Sequence, residues 1–292
     1  MNRKICVITG ANAGIGKQAA IQIAGKGYHI VLACRSRERV MQAFDEVLKM
    51  NSSNSAELLV VDMGLKESIK NFAGEFKSRY ERLDVLIHNA AIFNVTQKQR
   101  ETTSEGFETV WATNHLGPVL MTELLMDCLK KSENGRIITI SSKGLLAKPF
   151  LKVDLYDPEF KLKKFSIVNA YYQSKLAQLM YTYWLSDRLR NTAITANCIR
   201  VTAVKIDISR HPGLSPFMKW LYSVKARNSL SPEAMAGTYV FLAISDRVGK
   251  VSGKYFDEKN LEVNPNKYCK AGGNIKAVMR LTKKYVPEIK ET

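Results

Sequence analysis

Short apolar runs alternate with longer amphipathic stretches along almost the whole chain. Lys4–Ile8, His29–Ala33, Leu58–Val61, Val85–Ile87, Ile137–Ile140 and Ile194–Ile199 are apolar on both faces, so each is expected to be a strand covered on both sides. Between them the spacing predicts helices from about Ile15 to Gly25, Arg37 to Met50 and Leu65 to Tyr80. A long helix is expected from Glu105 to about Leu129, bent at Gly117-Pro118, and another from Val168 to Arg190. Ser231-Pro232-Glu233 has the form of a helix start: a capping hydroxyl, a proline at the first helical position and an acid near the positive end. A last strand is expected near Lys254–Phe256. Strand and helix in strict alternation predict an α/β fold: one Rossmann-type, doubly wound parallel sheet with helices on both faces.

With 292 residues, 46% of them hydrophobic, the chain can bury a full core, and no repeat or low-complexity linker divides it. The expected division is a dinucleotide-binding domain over 1–256 and a basic C-terminal extension over 257–292, beyond the core. With a strand expected from Lys4, no secretory or transit leader is expected, and no apolar run approaches the roughly 20 residues that span a bilayer. Five scattered cysteines with no Cys-x-x-Cys suggest reduced, buried thiols and a cytoplasmic location. The four histidines, His29, His88, His115 and His211, have no metal-site spacing, so no metal is expected. A net charge of +17 serves solubility or favours anionic surfaces; the basic residues are dispersed and form no nucleic-acid motif.

The first chemistry lies in Thr9-Gly10-Ala11-Asn12-Ala13-Gly14-Ile15-Gly16, between a strand and a helix. Glycines there let the backbone turn tightly and approach a pyrophosphate, whose charge meets the positive helix end. The triphosphate-loop pattern fails, because the glycine spacing is wrong and Lys17 is followed by Gln18. After the second strand an acid would select NAD by binding the ribose 2′-hydroxyl. Here Cys34-Arg35-Ser36-Arg37 follows, with Lys17 in the opening helix turn, and a guanidinium can grip a 2′-phosphate. The expected cofactor is therefore NADP(H).

The second is Tyr171-x-x-x-Lys175. Residues four apart share one helix face. An ammonium about 4 Å from the phenol contributes roughly 4 kcal/mol at an effective dielectric of 20, enough to lower its pKa by about three units before desolvation offsets some of it. The spacing is common by chance and also fits a core-facing stripe.

These motifs occur in the order of the short-chain dehydrogenase/reductase family, and the chain resembles its retinol-dehydrogenase-like branch from about Ile5 to Phe256. The resemblance rests on the glycine turn, Asp62 at the end of strand three, His88-Asn89-Ala90-Ala91 after strand four, Gly106-Phe107-Glu108, Asn114-His115-Leu116-Gly117, Ser141-Ser142 and the Tyr171/Lys175 pair. It implies a catalytic tetrad of Asn114, Ser142, Tyr171 and Lys175. It also implies a cofactor held by Gly10, Asn12, Gly14, Ile15, Gly16, Lys17, Arg35, Asp62, Met63, Asn89, Tyr171, Lys175 and Thr202. The implied activity is interconversion of an apolar alcohol with its aldehyde or ketone, mainly as reduction. One departure stands out: Val201-Thr202 replaces the usual Pro-Gly, and Ile206 stands where a hydroxyl usually holds the carboxamide. That motivates a second reading, a dinucleotide-binding scaffold or sensor with little turnover. Phe217-Met218-Lys219-Trp220-Leu221-Tyr222 falls in the family's substrate lid, about 205–230, and equally fits a core-packing helix. With Lys225 and Arg227 and the basic tail, it would suit peripheral contact with an anionic membrane. The long helices are surfaces through which relatives form homodimers.

Overall fold

The computed structural model describes residues 3–50, 55–205 and 229–290. Most of the expected lid, including Ile206, His211 and the Phe217–Tyr222 aromatics, lies outside the described residues.

Seven parallel strands form one sheet in the order β3-β2-β1-β4-β5-β6-β7. They are β1 (Ile5–Thr9), β2 (His29–Cys34), β3 (Ala56–Val60), β4 (Val85–His88), β5 (Arg136–Ser142), β6 (Thr195–Val201) and β7 (Tyr255–Phe256). β1 is buried at every position, as strands with helices on both faces must be. From β1 the chain winds outward to β2 and β3, then returns to place β4 on the other side of β1, pairing Cys6 with Val85 and Ile8 with Ile87. That reversal opens a crevice at the carboxyl ends of β1 and β4, where open α/β sheets bind ligands.

One face is covered by α1 (Gly14–Ala24), α2 (Arg37–Met50) and α7 (Pro232–Ile244), whose Ile23, Val40 and Tyr239 share a core with Ile8, Leu32 and Ile140. The other carries α3 (Lys66–Arg79), α5 (Gly117–Lys130) and α6 (Ile167–Arg188) over Val7, Leu86 and Ile137.

The helix expected from Glu105 begins later, and its irregularity takes a different form. Glu108 accepts the N–H groups of Val110 and Trp111, starting the short α4 (Thr109–Trp111), and a π-helical turn over Ala112–Leu116 follows. Helical backbone runs unbroken from this turn into α5, and Pro118, which has no N–H to donate, directly follows the bond from the Gly117 N–H to the Ala112 carbonyl that closes it. Glu105 instead caps α3, accepting from the Lys66 and Glu67 N–H groups at 2.9 and 3.0 Å.

Residues after Phe256 do not lie beyond the core. After α8 (Lys267–Lys270), α9 (Gly272–Tyr285) buries Val278, Met279 and Leu281 in the cluster that contains Leu179 and Leu185 of α6. Thr282 bonds to the buried His115 at 2.8 Å, so the last helix braces the π turn from behind. All five cysteines are free and buried. Among the described residues, no helix is long and apolar enough to cross a membrane, and no cluster of side chains could hold a metal ion.

Candidate active site

The glycine turn ends β1 and feeds α1. Gly10 and Gly14 have φ of +66° and +56°, the left-handed region that a Cβ disfavours. Gly16 is required by proximity: a Cβ there would stand 2.3 Å from Asn89 Nδ2 and 2.7 Å from the Gly10 carbonyl. Ala13 offers no side-chain cap, so the first N–H groups of α1 face the crevice with the positive end of the helix.

Asn89, at the end of β4, clamps this turn. Its amide donates to the Thr9 and Gly10 carbonyls at 3.0 and 3.1 Å, and its Oδ1 accepts from the Tyr239 hydroxyl at 3.1 Å. Tyr239 is fully buried on α7 and was not singled out in the sequence, because the contact spans 150 residues. Tyr239→Phe is expected to cost about 1 kcal/mol of stability and to weaken dinucleotide binding several-fold by loosening the turn. Thermal unfolding and fluorescence titration with NADPH check this.

A cleft of about 430 Å³ opens beside the turn. Gly10, Asn12, Arg35, Asp62, Met63 and Asn89 line it, all expected from the sequence, and so do Arg39 and Thr113, which were not. A wider opening of about 1200 Å³ continues past Gly14, Ile15 and Lys17. The cations divide unexpectedly. Lys17 is engaged by Glu46 at 2.8 Å, whereas Arg35 is 67% exposed and 3.9 Å from Asp62. Arg39, in the first turn of α2, lines both openings, so the cleft has a pair of guanidinium groups and a lysine already partly neutralised. Thr202 is half-buried and lines neither opening. An uncapped helix end, glycines at positions where a side chain would be strained or blocked and two arginines suit the phosphates of a dinucleotide.

Across the crevice, Ser142 ends β5 and Tyr171 and Lys175 lie on α6. Ser166 caps this helix. Lys175 Nζ is 5.7 Å from the Tyr171 ring centre and donates to the Ile140 carbonyl at 3.0 Å. Ser142 Oγ accepts the Gly144 N–H at 3.2 Å and lies close enough to the Tyr171 phenol to favour its ionised form. Asn114 sits in the π turn with its amide fully used: Oδ1 accepts from the Ile92 N–H at 2.7 Å, and Nδ2 donates to the Ile92 carbonyl and the Ser174 hydroxyl, both at 3.1 Å. The π turn is what aims this side chain at the loop after β4. That loop delivers Phe93, whose ring stacks on Tyr171 with centres 4.2 Å apart. No local sequence signal marks Phe93.

The expected lowering of the phenol is not what the environment produces. Burial pushes Tyr171 up to about 12, with the neighbouring Tyr172 adding to the rise and the Ser142 hydroxyl opposing it. Burial likewise pulls Lys175 down to about 8. Desolvation, the largest cause at both residues, penalises the charged form of each group. Tyr171 is thus a fully protonated donor at neutral pH, beside a lysine poised to change charge just above it.

Residues 4–156 match the model of the short chain dehydrogenase family. Retinol dehydrogenase 13 of Homo sapiens is 36% identical over 263 residues, covering 87% of this chain and 76% of its own. Retinol dehydrogenase 12 of Homo sapiens is 33% identical over 264 residues, covering 90% and 80%. Among solved structures, an uncharacterized protein from Mycobacterium paratuberculosis superposes with a TM-score of 0.72 at 24% identity, over 98% of this chain and 94% of that one. A short chain dehydrogenase from Shigella flexneri complexed with NADP gives 0.67 at 22% identity, over 89% and 98%. At these identities the structural likenesses carry the fold alone.

Proposed function

Since this chain belongs to the short-chain dehydrogenase/reductase family, in its retinol-dehydrogenase-like branch, we propose that it is an NADP(H)-dependent oxidoreductase. It interconverts an apolar alcohol with its aldehyde or ketone, chiefly in the direction of reduction. The observation that carries this reading is the convergence of Ser142, Tyr171 and Lys175 across the crevice from a glycine turn that leaves a helix end uncapped.

The nicotinamide cofactor, when bound, supplies or accepts the hydride. Gly10, Gly14 and Gly16 would let the backbone of Asn12 and Ile15 approach its pyrophosphate, Arg35 and Arg39 would take its 2′-phosphate, and Asp62 and Met63 would border its adenine. At the reacting end, Ser142 hydrogen-bonds the substrate oxygen, and Tyr171 donates its proton as charge develops there. Lys175 stabilises the resulting phenolate with its positive charge. Asn114 acts at one remove, fixing the loop that carries Phe93. A phenol protonated throughout the neutral range supports reduction, and the names of the retinol dehydrogenases support an apolar substrate. The free, buried cysteines support a reducing, cytoplasmic setting.

The cofactor assignment has its own check. Arg35→Asp is expected to raise the NADPH dissociation constant roughly 10–100-fold while leaving NADH binding equal or improved, because a charge-assisted phosphate contact becomes a repulsion. Equilibrium titration with both nucleotides measures it. Turnover is tested by NADPH oxidation with medium- and long-chain aldehydes, retinal and steroid ketones. Oxidation of none of them, with NADPH still bound, would abandon the enzyme reading for the dinucleotide-binding scaffold.

A further inference from the structure

The 24 residues that join β5 to α6, from Lys143 to Ser166, contain six lysines and three acids, and the fold sorts the two signs. Asp154 Oδ1 accepts the backbone N–H groups of Tyr156 and Asp157, both at 3.0 Å, and its Oδ2 pairs with Lys163. Asp157, itself buried, accepts those of Lys161, Leu162 and Lys163 at 2.7, 3.0 and 3.0 Å. Glu159 is buried and accepts from the Glu108 N–H and the Tyr285 hydroxyl. These acids also engage two of the loop's lysines, Lys163 on Asp154 and Lys161 on Glu159, and Lys143 pairs with Glu258, which leaves Lys148, Lys152 and Lys164 outside these ion pairs.

What the loop presents outward is the reverse. Phe150, Tyr156 and Leu162 are 91%, 97% and 86% exposed, values that large apolar side chains rarely show. Lys152 and Lys164 are exposed beside them. A cleft of about 400 Å³ has Phe150, Lys148 and Lys152 in its wall beside the Asp154–Lys163 ion pair, which sets a ring and ammonium groups around one opening.

We propose that this face docks on an anionic phospholipid surface. Aromatic and leucine side chains projecting among lysines suit the boundary between acyl chains and acidic headgroups, where the rings leave water and the ammonium groups stay at phosphate level. A second copy of the chain is a poorer occupant, since a two-fold contact would set the same lysines against one another. The face differs from the lid and tail that the sequence suggested: the lid is outside the described residues, and α9 spends its apolar positions on the core. The segment leads directly from Ser142 to the helix carrying Tyr171, so docking would hold the candidate site near the lipid, where an apolar substrate is concentrated. The inference goes beyond the oxidoreductase reading, and its test needs no turnover.

The experiment is co-sedimentation of the full chain with phosphatidylcholine vesicles, with and without phosphatidylserine. Binding is expected only to the anionic vesicles and is expected to weaken as salt is added. Lys152→Gln and Lys164→Gln should each lower the partition coefficient about fivefold. The double variant Phe150→Ser/Leu162→Ser should lower it about tenfold or more, with NADPH affinity and melting temperature unchanged. If the serine variant does not fold, the two glutamine variants carry the test alone. Absence of binding, binding equal on neutral vesicles, or binding that none of these substitutions alters overturns the proposal. So does light scattering that finds a dimer which Phe150→Ser/Leu162→Ser converts to monomer, since the face would then pair copies of the chain.

Discussion

Tyr171→Phe is expected to lower kcat for carbonyl reduction roughly 10²–10⁴-fold, the range in which a positioned general acid operates. NADPH affinity and melting temperature should hardly change. The substitution deletes one oxygen and leaves the ring, so the stack on Phe93 at 4.2 Å and the helix around it persist. What disappears is the proton. With Tyr171 pushed up to about 12 by burial, the phenol of the free protein is protonated across the neutral range and can donate as soon as charge builds on the substrate oxygen. The reverse reaction needs the phenolate, so alcohol oxidation is expected to rise with pH while reduction does not. Steady-state rates in both directions over a pH series measure this. A phenylalanine variant that reduces carbonyls at the wild-type rate would remove Tyr171 as the donor.

The sheet was legible because its central strands have no polar face, although the edge strand β3 leaves Val60 exposed. Runs such as Cys6-Val7-Ile8 and Ile137-Ile138-Thr139-Ile140 have nowhere to lie but between two helical layers, and the order of elements then restricts the topology. The glycine turn was legible because the left-handed backbone at Gly10 and Gly14 favours one residue type. The shared face of Tyr171 and Lys175 followed from helical spacing alone, and family membership agrees with the resemblance that those motifs carried.

Long-range contacts were not legible. The π turn depends on Asn114 meeting Ile92 and Ser174, 22 and 60 residues away, and nothing local distinguishes it from an ordinary bend at Gly117-Pro118. Lys17 reads as a free cation until α2 brings Glu46 against it. Arg39 gains its place only because α2 starts where it does. The last helix is a different failure. Its lysines suggest a solvated tail, yet Ile275, Val278, Met279 and Thr282 recur at helical spacing, and that stripe could have been read as a buried face. The ionisation of Tyr171 and Lys175 was misjudged for a physical reason. Coulomb attraction can be guessed from spacing, but desolvation depends on how much protein closes over the pair.

Lys175→Met is expected to abolish most turnover and, at pH 7, to make the protein more stable. In the folded chain burial holds the ammonium near 8, against a usual value of 10.5. A lysine lowered on folding opposes folding while it is charged. The penalty is complete below about pH 8, shrinks as pH rises toward 10.5, and vanishes once both states are neutral. A shift of that size corresponds to a penalty on the order of 3 kcal/mol. Methionine fills a similar volume without charge but loses the 3.0 Å hydrogen bond to the Ile140 carbonyl, worth about 1 kcal/mol, so a net gain of about 2 kcal/mol is expected. Thermal unfolding at pH 7 and pH 10 reads it as a melting temperature several degrees above wild type at the lower pH, with the gap narrowing at the higher. Turnover moves oppositely, because without the cation nothing offsets the phenolate that Tyr171 becomes on giving up its proton. For the same reason wild-type kcat/KM for reduction should fall as pH rises through about 8, and this inflection should be missing from the variant's residual rate. A lysine kept for structure would show the other sign, and a lower melting temperature at both pH values would assign Lys175 to the scaffold of α6 instead of to the chemistry.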